Sequence, residues 1–259
     1  MYKKVKFLLS AVVLLAFCPS AFGLTIGVLA KDVTEKTFSQ EVASGWRWSV
    51  LASEHSDDDT FKFYDNINSL LLALDAGDID EVDLPSVVAE YVIAVNPKYK
   101  VSCVMRQDQK MNFVFGFLNN DALRDDFNKA ILEMKRDGTL QELQENIPTE
   151  SAKFDSFPDA KTIRVAITGD IPPIDYIAAD GEAAGFNTAV LSEIGRRLKI
   201  NIQLVNVNTA SRTTALASGR VDVVFWYMIQ KHGEKFNISD NISVSVPYYS
   251  FDTFLQIRK

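Results

Sequence analysis

The sequence predicts an α/β protein of two lobes built on one plan, and three observations carry that expectation. Stretches with strand and helix patterning alternate along the chain, the rhythm of a largely parallel sheet covered by helices. One helix–Gly–strand unit occurs twice, as "ALDAGDIDEV" (73–82) and "ALASGRVDVV" (215–224), at similar distances from the opening strands "TIGVLAKD" (25–32) and "TIRVAITGD" (162–170). Between the halves, "IPTESAKFDSFPDA" (147–160) is rich in Pro, Ser and acids and reads as a surface linker. In such folds ligands bind beyond the carboxyl ends of strands, and a cleft between lobes is the expected pocket.

The first 23 residues stand apart from that plan. "MYKKVK" is basic, "FLLSAVVLLAFC" is apolar, and "PSAFG" ends in small residues at Ala21 and Gly23. That is the order of a secretory signal peptide over 1–23, and its apolar run falls short of the roughly 20 residues a bilayer span needs. The expected mature protein is exported to the periplasm and soluble.

The elements follow in order. "LTIGVLA" (24–30) reads as a strand, and Asp32 with Glu35 forms a capping box that starts a helix through about Ser44. "FKFYD" is a strand, and "NINSLLLALDAG" is a helix stopped at Gly77. "DIDEVDL" is a short strand, "SVVAEYVIAVNP" a helix ending before Pro97, and "YKVSCVM" another strand. "LRDDFNKAILEMKRDGTLQEL" (123–143) is an amphipathic helix, a stop at Gly138 and a second short helix. Leu123, Phe127, Ile131 and Met134 share one face of it, as helical spacing requires of a packed surface.

The formal charge of −7 becomes −10 once the leader takes away Lys3, Lys4 and Lys6. An acidic chain without basic clusters is a poor nucleic-acid binder, because phosphate neutralisation needs patches of Lys and Arg. Leader removal also leaves Cys103 as the one cysteine, expected as a buried structural thiol. "HSDDD" (55–59) lacks the spacing of a calcium loop, and His55 lacks companions for a zinc site. No metal or cofactor is expected.

From Lys161 onward the chain resembles the opening of a type II periplasmic solute-binding protein of the polar amino-acid ABC-transporter class. "IRVAITGDIPPIDYIAADGEAAGFNTAVLSEIGRRLKINIQLV" carries the likeness through its Pro-Pro turn and its Gly-Phe before a long helix. "ALASGRVDVV" and "ISVSVPYYSFDTFLQIRK" continue it. Residues 24–146 look like the rest of such a protein, with "IGVLAKDVTEKTF" like the start of its second lobe and the 123–143 helix pair like its C-terminus. The resemblance implies a two-lobe, type II periplasmic binding protein-like fold, circularly permuted, with the ligand cleft between the lobes. It assigns 24–113 to the second lobe, a hinge strand to "FVFGF" at 113–117, and 118–259 to the first lobe. The first lobe then comprises closing helices at 121–146, the linker at 147–160 and a core at 161–259. Termini close together on a surface make such rearrangement tolerable.

The resemblance also implies a ligand set, which this chain keeps only in part. The family's stacking aromatic falls on Ile171 and its ammonium-binding Asp on Pro85, beside Ser86. Its carboxylate-binding Arg should lie in "MIQKHGEKF", which contains no Arg and where Lys231 and His232 are the candidate cations. The Gly-Thr-Thr turn becomes "KDVTE", with Thr34 as a surviving donor and Asp32 as a competing cap. New candidates are Trp226 and Tyr227 in "FWYM", and Tyr176 after the Pro-Pro turn, all able to stack on a planar ligand or to fill the wall. Asp170 and Asp175 are either ligand groups or solvated loop acids.

The expected function is a periplasmic solute-binding protein, the substrate-binding component of an ABC importer, closing over an amino-acid-like or other small polar or aromatic ligand. A standard α-amino acid is disfavoured by the missing Arg and Asp. The alternatives are a ligand-sensing partner of a membrane signalling receptor and a homologue that no longer binds. Catalysis would need an acid–base pair more specific than scattered acids, so no enzyme is expected. The expected partners are a small ligand and a permease or receptor, with no nucleic acid, and the expected state is a monomer.

Overall fold

The computed structural model of the chain describes residues 23–29, 58–64, 66–207, 211–229 and 241–259. These divide into two compact units, a larger one formed by Gln109–Phe251 and a smaller one of the described residues up to Asp108 with Asp252–Lys259.

In the smaller unit, β1 (Thr25–Leu29) pairs in parallel with β2 (Thr60–Tyr64) and with β3 (Glu81–Pro85). The end of β12 (Tyr249–Arg258) runs antiparallel to β3, with Leu255 opposite Leu84 and Ile257 opposite Val82. Helix α1 (Ile67–Ala76) is capped by Asn66, whose side chain accepts from the Ser69 amide at 2.9 Å. It turns Ile67, Leu70, Ala73 and Leu74 inward. Gly27 lets this layer close, since a Cβ there would sit 2.6 Å from Leu70 Cδ1 and 2.4 Å from Ile79 Cδ1. Helix α2 (Ser86–Val95) follows β3 directly and buries Val87, Val88, Ala89 and Val92.

The strand expected at "YKVSCVM" is the start of a 19-residue strand, β4 (Lys100–Leu118). The unit boundary falls within it, at Asp108–Gln109, while the "FVFGF" segment at 113–117 lies inside the larger unit, where Val114, Phe115 and Phe117 are fully buried. Asp252–Lys259, expected with the first lobe, groups with the smaller unit because β12 is hydrogen-bonded to β3 there. Cys103 is buried as expected, but it is disulfide-bonded and so not the free thiol that leader removal predicts.

In the larger unit, α3 (Asp121–Arg136) and α4 (Thr139–Glu145) are the predicted helix pair, hinged at Gly138 with φ of 84°. The inward face is the one the spacing predicts, and Phe127 meets Phe115 and Phe117 edge-on at 5.4 and 5.2 Å. The strands are β5 (Thr162–Ile167), β9 (Asn201–Asn206) and β10 (Val223–Ile229), with β5 parallel to both neighbours. β10 and β11 (Ile242–Val244) each pair antiparallel with β4. Helix α5 (Phe186–Leu198) docks the α3–α4 junction through Arg197, which reaches Glu193 at 2.6 Å, Asp137 at 2.7 Å and the Thr139 hydroxyl at 3.1 Å. Helix α6 (Arg212–Ala217) leads into β10.

The repeated sequence unit is repeated in structure. After α1, Gly77 takes φ of 80°, and the Asp78 amide donates to Ala73 O. After α6, Gly219 takes φ of 69°, and the Arg220 amide donates to Ala215 O. Both are glycine-terminated helix ends that return amides to the last turn. The Asp three residues on then docks on the opening strand of its own unit. Asp80 accepts from the Thr25 amide and its own amide donates to Thr25 O, both at 2.8 Å. Asp222 does the same with Arg164, also at 2.8 Å. The shared Asp is therefore a strand clamp in each unit.

Candidate functional site

In the larger unit, β5 and β10 lie side by side, Val165 opposite Val223 and Ala166 opposite Val224, so their carboxyl ends emerge together. That edge is where open α/β sheets hold ligands. Beyond β5 the chain makes a turn at Thr168–Gly169 and enters a small antiparallel sheet of β6 (Asp170–Ile171), β7 (Asp175–Ile177) and β8 (Ala183–Ala184). Gly169 has φ of 71°, and a Cβ there would meet Ile177 Cγ1 at 2.9 Å.

Asp175 holds this turn. Its Oδ2 accepts from the Thr168 amide at 2.9 Å, the Thr168 hydroxyl at 3.0 Å and the Gly169 amide at 2.8 Å. Its Oδ1 is buried with no hydrogen-bond partner among the described residues. Burial pushes the carboxyl above the ordinary Asp range, nearby Asp170 pushes the same way, and the three donated bonds pull it back. With 1% of its surface exposed, Asp175 is no solvated loop acid. Asp170 is half-buried opposite Tyr176.

The N-terminus of α5 closes against the same loop. The Phe186 amide donates to Pro173 O at 3.1 Å and the Asn187 amide to Ile174 O at 2.9 Å. Gly185 makes this approach possible, with φ of 103° and room for no Cβ, which would lie 2.4 Å from Pro173 O. The Phe186 ring stacks on Tyr248 at 6.2 Å.

The end of β10 departs from regular pairing. Val224 faces Gly116 of β4, but Tyr227 faces Val114, so one extra residue is accommodated on β10 between them. A bulge of this kind bends a strand and re-aims its side chains. Arg212, the first residue of α6, lies on it and donates from Nη1 to Phe225 O at 3.0 Å. The guanidinium is thus placed at the β5/β10 edge, half-buried.

Of the residues named from sequence, Asp170, Tyr176 and the backbone of Trp226 and Tyr227 come to this one edge of the larger unit. The Tyr176 hydroxyl is already engaged, donating to Thr149 O at 2.8 Å. Pro85 and Ser86 lie in the smaller unit, as the N-cap and first residue of α2, with no side-chain cap bond. Asp83 is buried in β3 opposite Val28 and Gln256. Asp32, Thr34, Lys231 and His232 lie outside the described residues. Arg212 is the residue that sequence reasoning passed over. The signal available was an Arg at the first position of a helix that ends in the repeated Gly unit.

Residues 163–256 match the family model of bacterial extracellular solute-binding proteins, family 3. The match runs from β5 into β12 and shows, over that span, the resemblance the sequence carries. No curated protein matches the chain. Among solved structures, the GluR0 ligand-binding core in complex with L-glutamate aligns with a TM-score of 0.43 at 14% identity, over 93% of this chain and 86% of that one. Tv2483 bound to L-arginine gives 0.47 at 14%, over 92% and 77%. The periplasmic aliphatic sulphonate binding protein SsuA from Escherichia coli gives 0.43 at 12%, over 92% and 65%.

Among the described residues, no three His, Cys, Asp or Glu side chains gather as a metal site, and no helix is long and apolar enough to cross a membrane. Among the described residues, this edge brings together the Arg212 guanidinium on the β10 bulge and the acids of the 168–177 loop.

Proposed function

We propose that this protein is a periplasmic solute-binding protein, delivered by its 1–23 leader, that presents a small polar or aromatic ligand other than a standard α-amino acid to an ABC permease. The observation that carries the proposal is the family match over 163–256, the segment that builds the β5/β10 edge. Two lobes closing over the ligand would shift an open–closed equilibrium by contacts that exist only in the closed form. Asp170, Tyr176, Trp226, Tyr227 and Arg212 would serve from one lobe, and Asp32, Thr34, Pro85 and Ser86 from the other. Lys231 and His232 would add cations. Arg212 would offer an anionic group the forked pairing that the family's usual Arg provides elsewhere.

We further propose that the chain is circularly permuted relative to the family. In support, the helix pair α3–α4 lies in the same compact unit as most of the family-matched segment, and β12 leaves that unit to pair with β3. The protein would act as a monomer.

The test is isothermal titration with solutes identified from what co-purifies with the native protein. Arg212→Ala and Trp226→Ala should each weaken binding at least ten-fold, on the order of 1.4 kcal/mol. Tight binding of common α-amino acids would overturn the ligand class proposed here, and unchanged affinity in both variants would overturn the site.

A further inference from the structure

The segment 147–160 is pinned along its length rather than hanging between elements. Ser151 forms an antiparallel bridge with Ala184, and the Ala152 amide donates to Ala183 O at 3.2 Å, so the segment adds a strand position beside β8. The Ser151 hydroxyl donates to Asp180 Oδ2 at 2.6 Å, and the Tyr176 hydroxyl donates to Thr149 O at 2.8 Å. Further on, Ser192 of α5 donates to Lys153 O at 2.6 Å. Asn201 then holds Phe157 from both sides, accepting from its amide at 2.8 Å and donating to its carbonyl at 3.0 Å.

The sheet beneath this strap is slight. β6, β7 and β8 have two, three and two residues, well below the lengths that make small sheets stable alone. Yet β6 carries Asp170 and follows the turn clamped by Asp175, at the edge assigned to ligand. We propose that the strap, through the Thr149 carbonyl and Ser151, is the positioning element of the binding loop at 168–177. Its work is local: the Tyr176 hydroxyl is anchored to the Thr149 carbonyl at 2.8 Å. The strap therefore sets where Asp170 and Tyr176 stand. This rests on the solute-binding reading for what the loop binds, but the strap's hold on the loop is measurable with no ligand at all.

The experiment is hydrogen exchange with mass spectrometry on the ligand-free protein and three variants. Tyr176→Phe keeps the ring and removes the donor, Ser151→Ala removes the Asp180 contact, and a protease site inserted between Asp155 and Ser156 lets the folded protein be nicked. One ordinary hydrogen bond changes a local opening equilibrium roughly five-fold. Each point variant should therefore speed exchange of amides in 168–184 by about that factor, and the nick by more. Amides of β5, of β9 and of α5 beyond its first turn should be unaffected, whereas the Phe186 and Asn187 amides, bonded to the loop, should follow it. Equal acceleration everywhere would make the strap a global stabiliser and overturn the proposal. No acceleration in 168–184 would overturn it as well. Either result leaves the solute-binding proposal standing, whereas a protein that binds nothing can still pass this test.

Discussion

Phe127→Ala is the perturbation that weighs the α3 face most directly. The side chain has no exposed surface and meets Phe115 and Phe117 edge-on at 5.4 and 5.2 Å. Truncating a buried Phe costs about 3–5 kcal/mol, from lost transfer energy and the cavity left behind. Two well-oriented aromatic partners, each contributing about 0.5–1.5 kcal/mol beyond area, place this site in the upper half of that range. The expected loss is therefore about 4 kcal/mol, against roughly 1.5 kcal/mol for Phe127→Leu, which keeps most of the volume. Hydrogen exchange along a urea series reads the two units separately, through peptides of β5 and α5 for the larger and of α1 for the smaller. Loss should appear in the larger-unit peptides. A loss below about 1.5 kcal/mol for the alanine variant would refute the packing account, because the closing helix would then not be part of that core.

Three other predictions follow from named contacts. Asp137 is held down to about 2, first by the Thr139 hydroxyl and amide and then by Arg197, and Glu193 is held below its usual range by Arg196 and then Arg197. A depressed carboxylate stabilises above its unfolded pKa and loses that as pH falls through the folded value, so the wild type should lose stability between about pH 4 and pH 2 more steeply than Asp137→Asn. Gly185→Ala should cost about 2 kcal/mol or more by thermal melting, since the new Cβ meets Pro173 O at 2.4 Å on a backbone with φ of 103°. Intact mass of the protein from its native source should match a chain starting near Leu24. A full-length mass would show that the leader is retained.

Much of the architecture is legible in the sequence because it rests on periodicity and stop residues. Strands at β1, β2 and β3, helices α1 to α4 and the two Gly-terminated units all follow from apolar spacing and from glycines that take positive φ. What is not legible has other physical origins. The polar run "RQDQK" hides the middle of β4, because that stretch carries no apolar alternation, with Arg106 and Lys110 exposed. The β6–β8 sheet has strands of two or three residues, too short for any period to register. The strap depends on the side chains of Tyr176, Ser192 and Asn201 bonding to its backbone from distant parts of the chain, a pattern indistinguishable in sequence from an open linker.

The candidate site divides along the same line. Asp170, Tyr176, Trp226 and Tyr227 could be named because they flank a Pro-Pro turn or end a strand. The roles of Asp175 and Arg212 depend on long-range geometry: one carboxylate oxygen receiving three donors, and one guanidinium meeting a strand bulge. No local pattern encodes either.

The measurement that tests the central claim most directly is native mass spectrometry of the protein isolated from its native source. Solute binding predicts one small molecule per chain, released on denaturation and restored by titration. A bare chain, with no thermal shift across a panel of polar and aromatic solutes, would contradict it.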